Sequence, residues 1–211
     1  MINIKNKLPK YISEKYKELE KPIRKRLREF SLVSESEYFY ELAFCICTPQ
    51  SRAKNAFQVI EKLKKADFFN KPFNPVKILE DKEHYVRFHN QKAIRLVKLV
   101  ENYPKVIETI NSDLQAFDKR NKIKDTVDGF GYKEASHFLR NIGYRDLAIL
   151  DRHILKHLVI CKVYKEIPKV SSAKQYFEVE KKFQEFAKST GIPIDELDLL
   201  FWSYETGEIL K

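Results

Sequence analysis

Glycine occurs only five times in 211 residues, and that scarcity limits the available architectures more than any other feature of the chain. β-Sandwiches and barrels depend on many tight turns, which glycine makes without steric cost. The eight prolines are also sparse, and the intervals between them are rich in Lys, Glu, Leu and Ile, residues that favour helix. The expectation is an all-α protein. With 43% hydrophobic and 13% aromatic residues, the chain can bury a core as one large domain or two small lobes. Its 33% charged residues therefore decorate a folded chain rather than mark a disordered one.

Lys and Arg outnumber Asp and Glu by 40 to 30, a formal net charge of +10. Such a balance suits a polyanion such as nucleic acid, although surface lysine also serves solubility alone. No apolar run approaches the roughly 18 residues of a membrane-spanning helix. The opening MINIKNKLPK lacks the continuous apolar segment of a signal peptide, so an intracellular, reducing compartment is expected. Cys45, Cys47 and Cys161 are too few for a disulfide framework or, alone, a tetrahedral zinc site. Cys45 and Cys47 lie in the apolar run AFCIC and read as buried thiols. His84, His89, His137, His153 and His157 form no zinc pattern with cysteine, and His137 and His153 read as helix-terminal hydrogen-bonding groups.

Residues 11–30 read as a basic helix interrupted near Pro22. Ser34-Glu35-Ser36-Glu37 has capping-box spacing and opens the apolar stretch Tyr38 to Cys47, which Thr48-Pro49-Gln50 breaks. A helix is expected from about Ser51 to Lys65, then a turn-rich connection over 66–75. Asn74-Pro75 supplies an N-cap and first position for a short helix to Glu80. His84 to Phe88 reads as loop. From Asn90, the residues Ala93, Leu96, Val97 and Val100 mark a helix face, with two more helices expected before residue 128. Helices near 171–189 and 195–204 complete the chain.

Two of the five glycines stand together in Thr126-Val127-Asp128-Gly129-Phe130-Gly131-Tyr132-Lys133. Ile123 and Val127 precede them at helical spacing, and Ala135, Phe138, Leu139 and Ile142 form an apolar stripe after them. The pattern is helix, two-glycine hairpin, helix. Bare backbone N–H groups at such a helix start suit an anion, and a DNA phosphate fits whatever the base sequence. An ordinary αα turn with a glycine cap has the same signature. On a helical wheel Lys133 lies opposite the stripe and shares its face with His137 and Arg140, so it is expected outside the core. It is either a solvated phosphate contact or an amine nucleophile, kept partly neutral by the helix N-terminus and partial burial. Further on, the apolar run Leu147 to Leu150 leads to Asp151 at the start of another helix. That carboxylate is an N-cap, a role that still allows it to project into a cleft. Trp202, the only tryptophan, lies off the Leu197/Leu200/Phe201/Tyr204 stripe and shares a face with Asp198. It either packs or stacks on a base.

The stretch GFGYKEASHFLRNIGYRDLAILDRHIL resembles the helix–hairpin–helix DNA glycosylase superfamily. Within it, the match is to the compact type-2 8-oxoguanine DNA glycosylases/AP lyases of archaea and some bacteria. The ending ELDLLFWSYETGEILK extends the similarity over nearly the whole chain. The resemblance implies two helical lobes with a DNA-binding cleft between them. One lobe spans 36–151 and contains the helix–hairpin–helix at about 116–142; the other combines 1–35 with 152–211. Lys133 becomes a catalytic nucleophile that attacks C1′ and forms a Schiff base, and Asp151 an essential carboxylate. Gly129 and Gly131 hold a phosphate, often with a bound monovalent cation. No other cofactor is required, and no iron–sulfur cluster is expected because Cys161 is the only cysteine beyond residue 47.

The same resemblance implies that Phe88, in an Arg-Phe loop, and Trp202 sandwich the extruded base, with Asp198 and the terminal Lys211 beside it. Gln50 falls where some relatives fill the gap left in the duplex, and Arg52 is a neighbouring DNA contact. The implied partner is double-stranded DNA containing 8-oxoguanine, met by a monomer in the cytoplasm or nucleoid. A non-catalytic helix–hairpin–helix module would explain the charge and hairpin, but not Lys133 and Asp151 together. A glycosylase for another damaged base, such as an oxidised pyrimidine, would keep those two without the Phe88/Trp202/Lys211 set.

Overall fold

In the computed structural model, which describes residues 8–209, every regular element is helical. The first, α1 (Lys10–Phe30), continues through Pro22 rather than breaking there. A proline inside a helix costs about 3 kcal/mol. Ile12, Ile23, Leu27 and Phe30 are buried on both sides of it, and burying each such side chain contributes about 1.5–3 kcal/mol. The continuous helix wins. Pro104 is overridden in the same way within α5 (His89–Asn111), where Leu96, Leu99, Tyr103, Val106 and Ile110 are buried. One helix, α6 (Ala116–Thr126), therefore follows α5 before residue 128, where the sequence leads one to expect two.

Ser34 opens a single 3-10 turn, Glu35–Glu37, instead of capping α2 (Tyr38–Cys47). Its hydroxyl lies 2.7 Å from Ser36 Oγ. After α3 (Ala53–Lys65) comes the short α4 (Val76–Leu79), where Asn74 Oδ1 accepts the Val76 N–H at 3.2 Å. The chain finishes with α7 (Tyr132–Asn141), α8 (Arg152–Ile160), α9 (Ala173–Thr190) and α10 (Ile194–Thr206).

The contacts divide the chain into two units, Val33–Phe138 and the residues up to Leu32 together with those from Leu139 onward. The second crossing thus falls inside α7, whereas the lobe limits read from the sequence put it after Asp151. The reason is visible from Leu139 onward. Arg140 pairs with Asp198 of α10, and Ala148 is held by Tyr176 and Glu180 of α9.

In unit 33–138, α2 is buried on nearly every side and packs on α3 and α5. Phe39 gathers Phe68, Phe69 and Tyr103 around it, with ring centroids 4.7–6.2 Å away. In the other unit α10 packs on α1, α8 and α9. Leu197, Leu200 and Phe201 are fully buried, but Tyr204 is 44% exposed and does not continue their stripe. Tyr16 and Arg24 of α1 donate to Glu196 at 2.5 and 3.1 Å, joining the first helix to the last. All three cysteines are buried, and burial pushes the Cys47 and Cys161 thiols up to about 12.

Candidate active site

The hairpin between α6 and α7 rests on Ile123 and Val127 on one side and on Ala135, Phe138 and Leu139 on the other, all buried. Arg120, fully buried on α6, donates to Ser136 Oγ of α7 at 3.2 Å. Its guanidinium also lies 4.7 Å from the Phe117 ring and 5.7 Å from that of Tyr132. That cross-brace sets the two helices around the turn.

Gly129 has φ +84°, a conformation that side chains with a Cβ avoid. A Cβ there would also stand 2.4 Å from the Arg95 guanidinium. Glycine is therefore needed for the turn, and its bare Cα lets a cation from α5 lie against it. Gly131 is engaged differently. Its N–H donates to Glu134 Oε2 at 3.0 Å, a return contact across three residues equivalent to half of a capping box. The hairpin N–H expected to face an external anion is thus satisfied by an internal carboxylate.

Lys133 follows on the first turn of α7, its side chain 25% exposed and its Nζ 3.4 Å from Glu134 Oε1. The helix face that carries it, expected from the sequence to be open, is not a surface. Every residue from Ala135 to Asn141 is buried, His137 and Arg140 included. His137 meets Phe44 edge-on at 5.9 Å. Only the first turn of α7 is open, so Lys133 stands at the mouth of an otherwise enclosed helix.

Asp151 caps α8. Its Oδ1 accepts both the His153 N–H at 2.8 Å and the Ile154 N–H at 2.9 Å. Oδ2 accepts no hydrogen bond among the described residues. Capping therefore occupies one oxygen and leaves the other for chemistry. The buried approach, Leu147 to Leu150, has no regular secondary structure, yet its backbone is anchored. Glu180 accepts the Ala148 N–H at 2.9 Å, and the Tyr176 hydroxyl donates to the Ala148 carbonyl at 2.6 Å. Lys133 belongs to unit 33–138 and Asp151 to the other.

The expected base-pocket residues divide likewise. Phe88 sits at the start of α5 with φ +59°, half exposed, the Arg87 guanidinium 5.5 Å from its ring. Trp202 is half-buried on α10. One turn earlier, Asp198 is buried in an ion pair with Arg140 at 3.1 Å. Lys211 lies outside the described residues.

Gln50 is exposed with φ +57°, and Arg52 is exposed at the N-cap position of α3, making no side-chain cap. The turn carrying Gln50 is gripped by Lys92 of α5, a residue with no sequence signal of its own. Lys92 is 2% exposed, and its Nζ donates to the Cys47 carbonyl at 2.8 Å, the Pro49 carbonyl at 2.7 Å and Ser51 Oγ at 3.3 Å. Burial lowers its pKa to about 8. Arg95 is equally silent in the sequence, because only the tertiary fold brings it to Gly129. Glu134 has a signal, its three-residue spacing from Gly131.

A second titratable cluster lies on α8 and α10. His157 is fully buried, stacked 4.6 Å from Phe201, with Nε2 3.1 Å from Glu205. Glu205 also receives Lys156 at 2.9 Å. Desolvation lowers the His157 pKa, and Lys156 holds the Glu205 carboxyl below its usual range.

Residues 23–192 match the family described as 8-oxoguanine DNA glycosylase. A Fusobacterium nucleatum protein named 8-oxoguanine DNA glycosylase/AP lyase is 42% identical, covering 98% of this chain and 99% of its own. The crystal structure of the Methanocaldococcus jannaschii 8-oxoguanine glycosylase/lyase with a 15mer DNA containing 8-oxoguanine superposes with a TM-score of 0.81. That match has 33% identity over 94% of this chain and 98% of that one. The 8-oxoguanine DNA glycosylase of Thermotoga maritima gives 0.83 at 29% identity, over 96% and 97% of the two chains. A family match over most of the chain, together with these full-length relatives, means that this chain belongs to the 8-oxoguanine DNA glycosylase family.

Proposed function

We propose that this protein excises 8-oxoguanine from double-stranded DNA and cuts the strand 3′ to the resulting abasic site. The observation that carries the reading is Lys133 on the only open turn of α7, directly behind the Gly129-Phe130-Gly131 hairpin, in a chain with full-length glycosylase/lyase relatives. The hairpin and Arg95 hold a backbone phosphate without reading sequence. A monovalent cation at the hairpin would serve the same phosphate, alongside the Arg95 guanidinium that lies against Gly129. The chemistry requires no such ion.

The damaged nucleotide leaves the stack before reaction. Phe88 and Trp202 are the stacking partners for the base, each worth about 1–3 kcal/mol. Asp198 acts beside Trp202 through its pair with Arg140, Lys211 contributes to recognising the base, Gln50 fills the vacated position and Arg52 contacts the strand. The neutral Lys133 amine attacks C1′, the C1′–N9 bond breaks, and the base departs with the bonding electrons and gains a proton. The amine nitrogen loses a proton, for which the Glu134 carboxylate, 3.4 Å away, is the acceptor. The free Oδ2 of Asp151 stabilises positive charge developing on the sugar. Ring opening yields a Schiff base; loss of a C2′ proton then expels the 3′ phosphate, and water releases the lysine. The enzyme acts as a monomer inside the cell.

Borohydride trapping on a duplex containing 8-oxoguanine tests this. The unaltered chain is expected to give a covalent adduct and Lys133→Gln none. Specific binding without any adduct would make the protein a non-catalytic DNA-binding module.

A further inference from the structure

We propose that Lys92 is a positioning residue that couples Gln50 to Phe88, so that gap filling and base stacking are delivered by one rigid assembly. The inference rests on the gap-filling and stacking roles proposed for those two side chains. Gln50 and Phe88 are both exposed, both non-glycine, and both held at positive φ, 57° and 59°. Such conformations persist only where the surroundings over-determine them.

Lys92 provides that constraint for both. Its backbone N–H donates to the Phe88 carbonyl at 2.9 Å, closing the first turn of α5 over Phe88. Its ammonium brackets Gln50, donating to the carbonyl of Pro49 before it and to the hydroxyl of Ser51 after it. The third donor takes the Cys47 carbonyl at the end of α2. An ammonium has three donors, and all are used. Ser51 closes the circuit, since its Oγ accepts the Arg87 N–H at 3.0 Å, immediately before Phe88. Asn55 adds a parallel tie to the Tyr85 carbonyl at 3.0 Å.

A role in packing alone would not select this group. A buried ammonium is costly to desolvate, and an apolar side chain of similar volume usually serves a core as well or better. Among the described residues Lys92 has no carboxylate partner within salt-bridge distance. Its acceptors are the end of α2 and the turn that presents Gln50. The charge is retained where it defines the path of a loop.

The test compares the full-length protein with Lys92→Met and Ser51→Ala on two duplexes, under single-turnover conditions with thermal melting recorded. One duplex carries 8-oxoguanine with 2-aminopurine as its neighbour, to report extrusion. The other carries a ready-made abasic site, which needs no base stacking. Lys92→Met is expected to lose about tenfold or more in excision and most of the fluorescence rise, but no more than about threefold in trapping at the abasic site. Ser51→Ala, which removes one bond of the circuit, is expected to show a smaller loss with the same selectivity and an unchanged melting temperature. If Lys92→Met melts early, Ser51→Ala alone decides. Equal losses on the two duplexes, or no loss on either, overturn the proposal. Failure of the unaltered chain on 8-oxoguanine is a separate result, which overturns the substrate assignment and this inference with it.

Discussion

Lys133 Nζ lies 3.4 Å from one oxygen of Glu134 while the other oxygen accepts the Gly131 N–H, so a single carboxylate touches both the lysine and the hairpin. Glu134→Gln keeps an acceptor for Gly131 but loses the charge beside Lys133. It is expected to slow Schiff-base trapping by about 100-fold or more with an unchanged melting temperature, in keeping with the size of proton-transfer effects. Glu134→Ala should add a loss of about 1 kcal/mol in stability, as expected for a lost cap. An unchanged trapping rate in Glu134→Gln would remove the carboxylate from the proton inventory.

Gly129 and Arg95 form the second critical pair. Gly129→Ala forces a Cβ into the left-handed region, at about 1–2 kcal/mol, and displaces the Arg95 guanidinium, which would otherwise lie only 2.4 Å from it. DNA affinity should fall more than stability. Arg95→Ala should weaken undamaged and damaged duplexes alike and reduce the slope of log affinity against log salt by about one. Fluorescence anisotropy across a salt series measures both, and an unaltered slope would take Arg95 out of phosphate contact.

Asp151 combines a cap with a free oxygen, and two substitutions separate them. Asp151→Asn retains Oδ1 for His153 and Ile154. It should melt near the unaltered temperature yet lose most base excision. Asp151→Ala should lose excision and also about 0.5–2 kcal/mol of stability. Near-normal excision by Asp151→Asn would leave this carboxylate as a cap only.

His157 makes the fold acid-sensitive. Its folded-state pKa is lowered by burial, so the unfolded chain takes up a proton at a higher pH than the folded one. Its neutral form therefore imposes no penalty above about pH 6.5, and stability falls as pH drops below that value. Glu205, lowered mainly by Lys156, has the same sign lower down, its contribution fading as pH falls through its folded value. His157→Gln should flatten the decline in melting temperature between pH 7 and pH 5. An equally steep decline would place the acid sensitivity elsewhere.

The all-helical class, the two-glycine hairpin, and the candidates Lys133 and Asp151 are legible in the sequence because each depends on local chemistry. Glycine alone takes φ +84° without strain, an aspartate at a helix start finds bare N–H groups, and apolar residues at helical spacing mark a buried face. Such signals span only a few residues. Pro22 misleads for the same reason, since locally it breaks a helix and only the burial of distant neighbours outweighs it. The helical wheel puts Lys133, His137 and Arg140 on one open face; the tertiary structure closes it around all but the first turn. Periodicity identifies which residues share a face but not what covers it. Lys92, Arg95 and the Arg140–Asp198 pair are silent for that reason, their partners lying far along the chain. The sequence by itself determined the helical class and the chemistry of the hairpin. Only the tertiary structure decided which cations are gripped by carbonyls, which lie against glycine and which stand open, because those choices come from long-range packing.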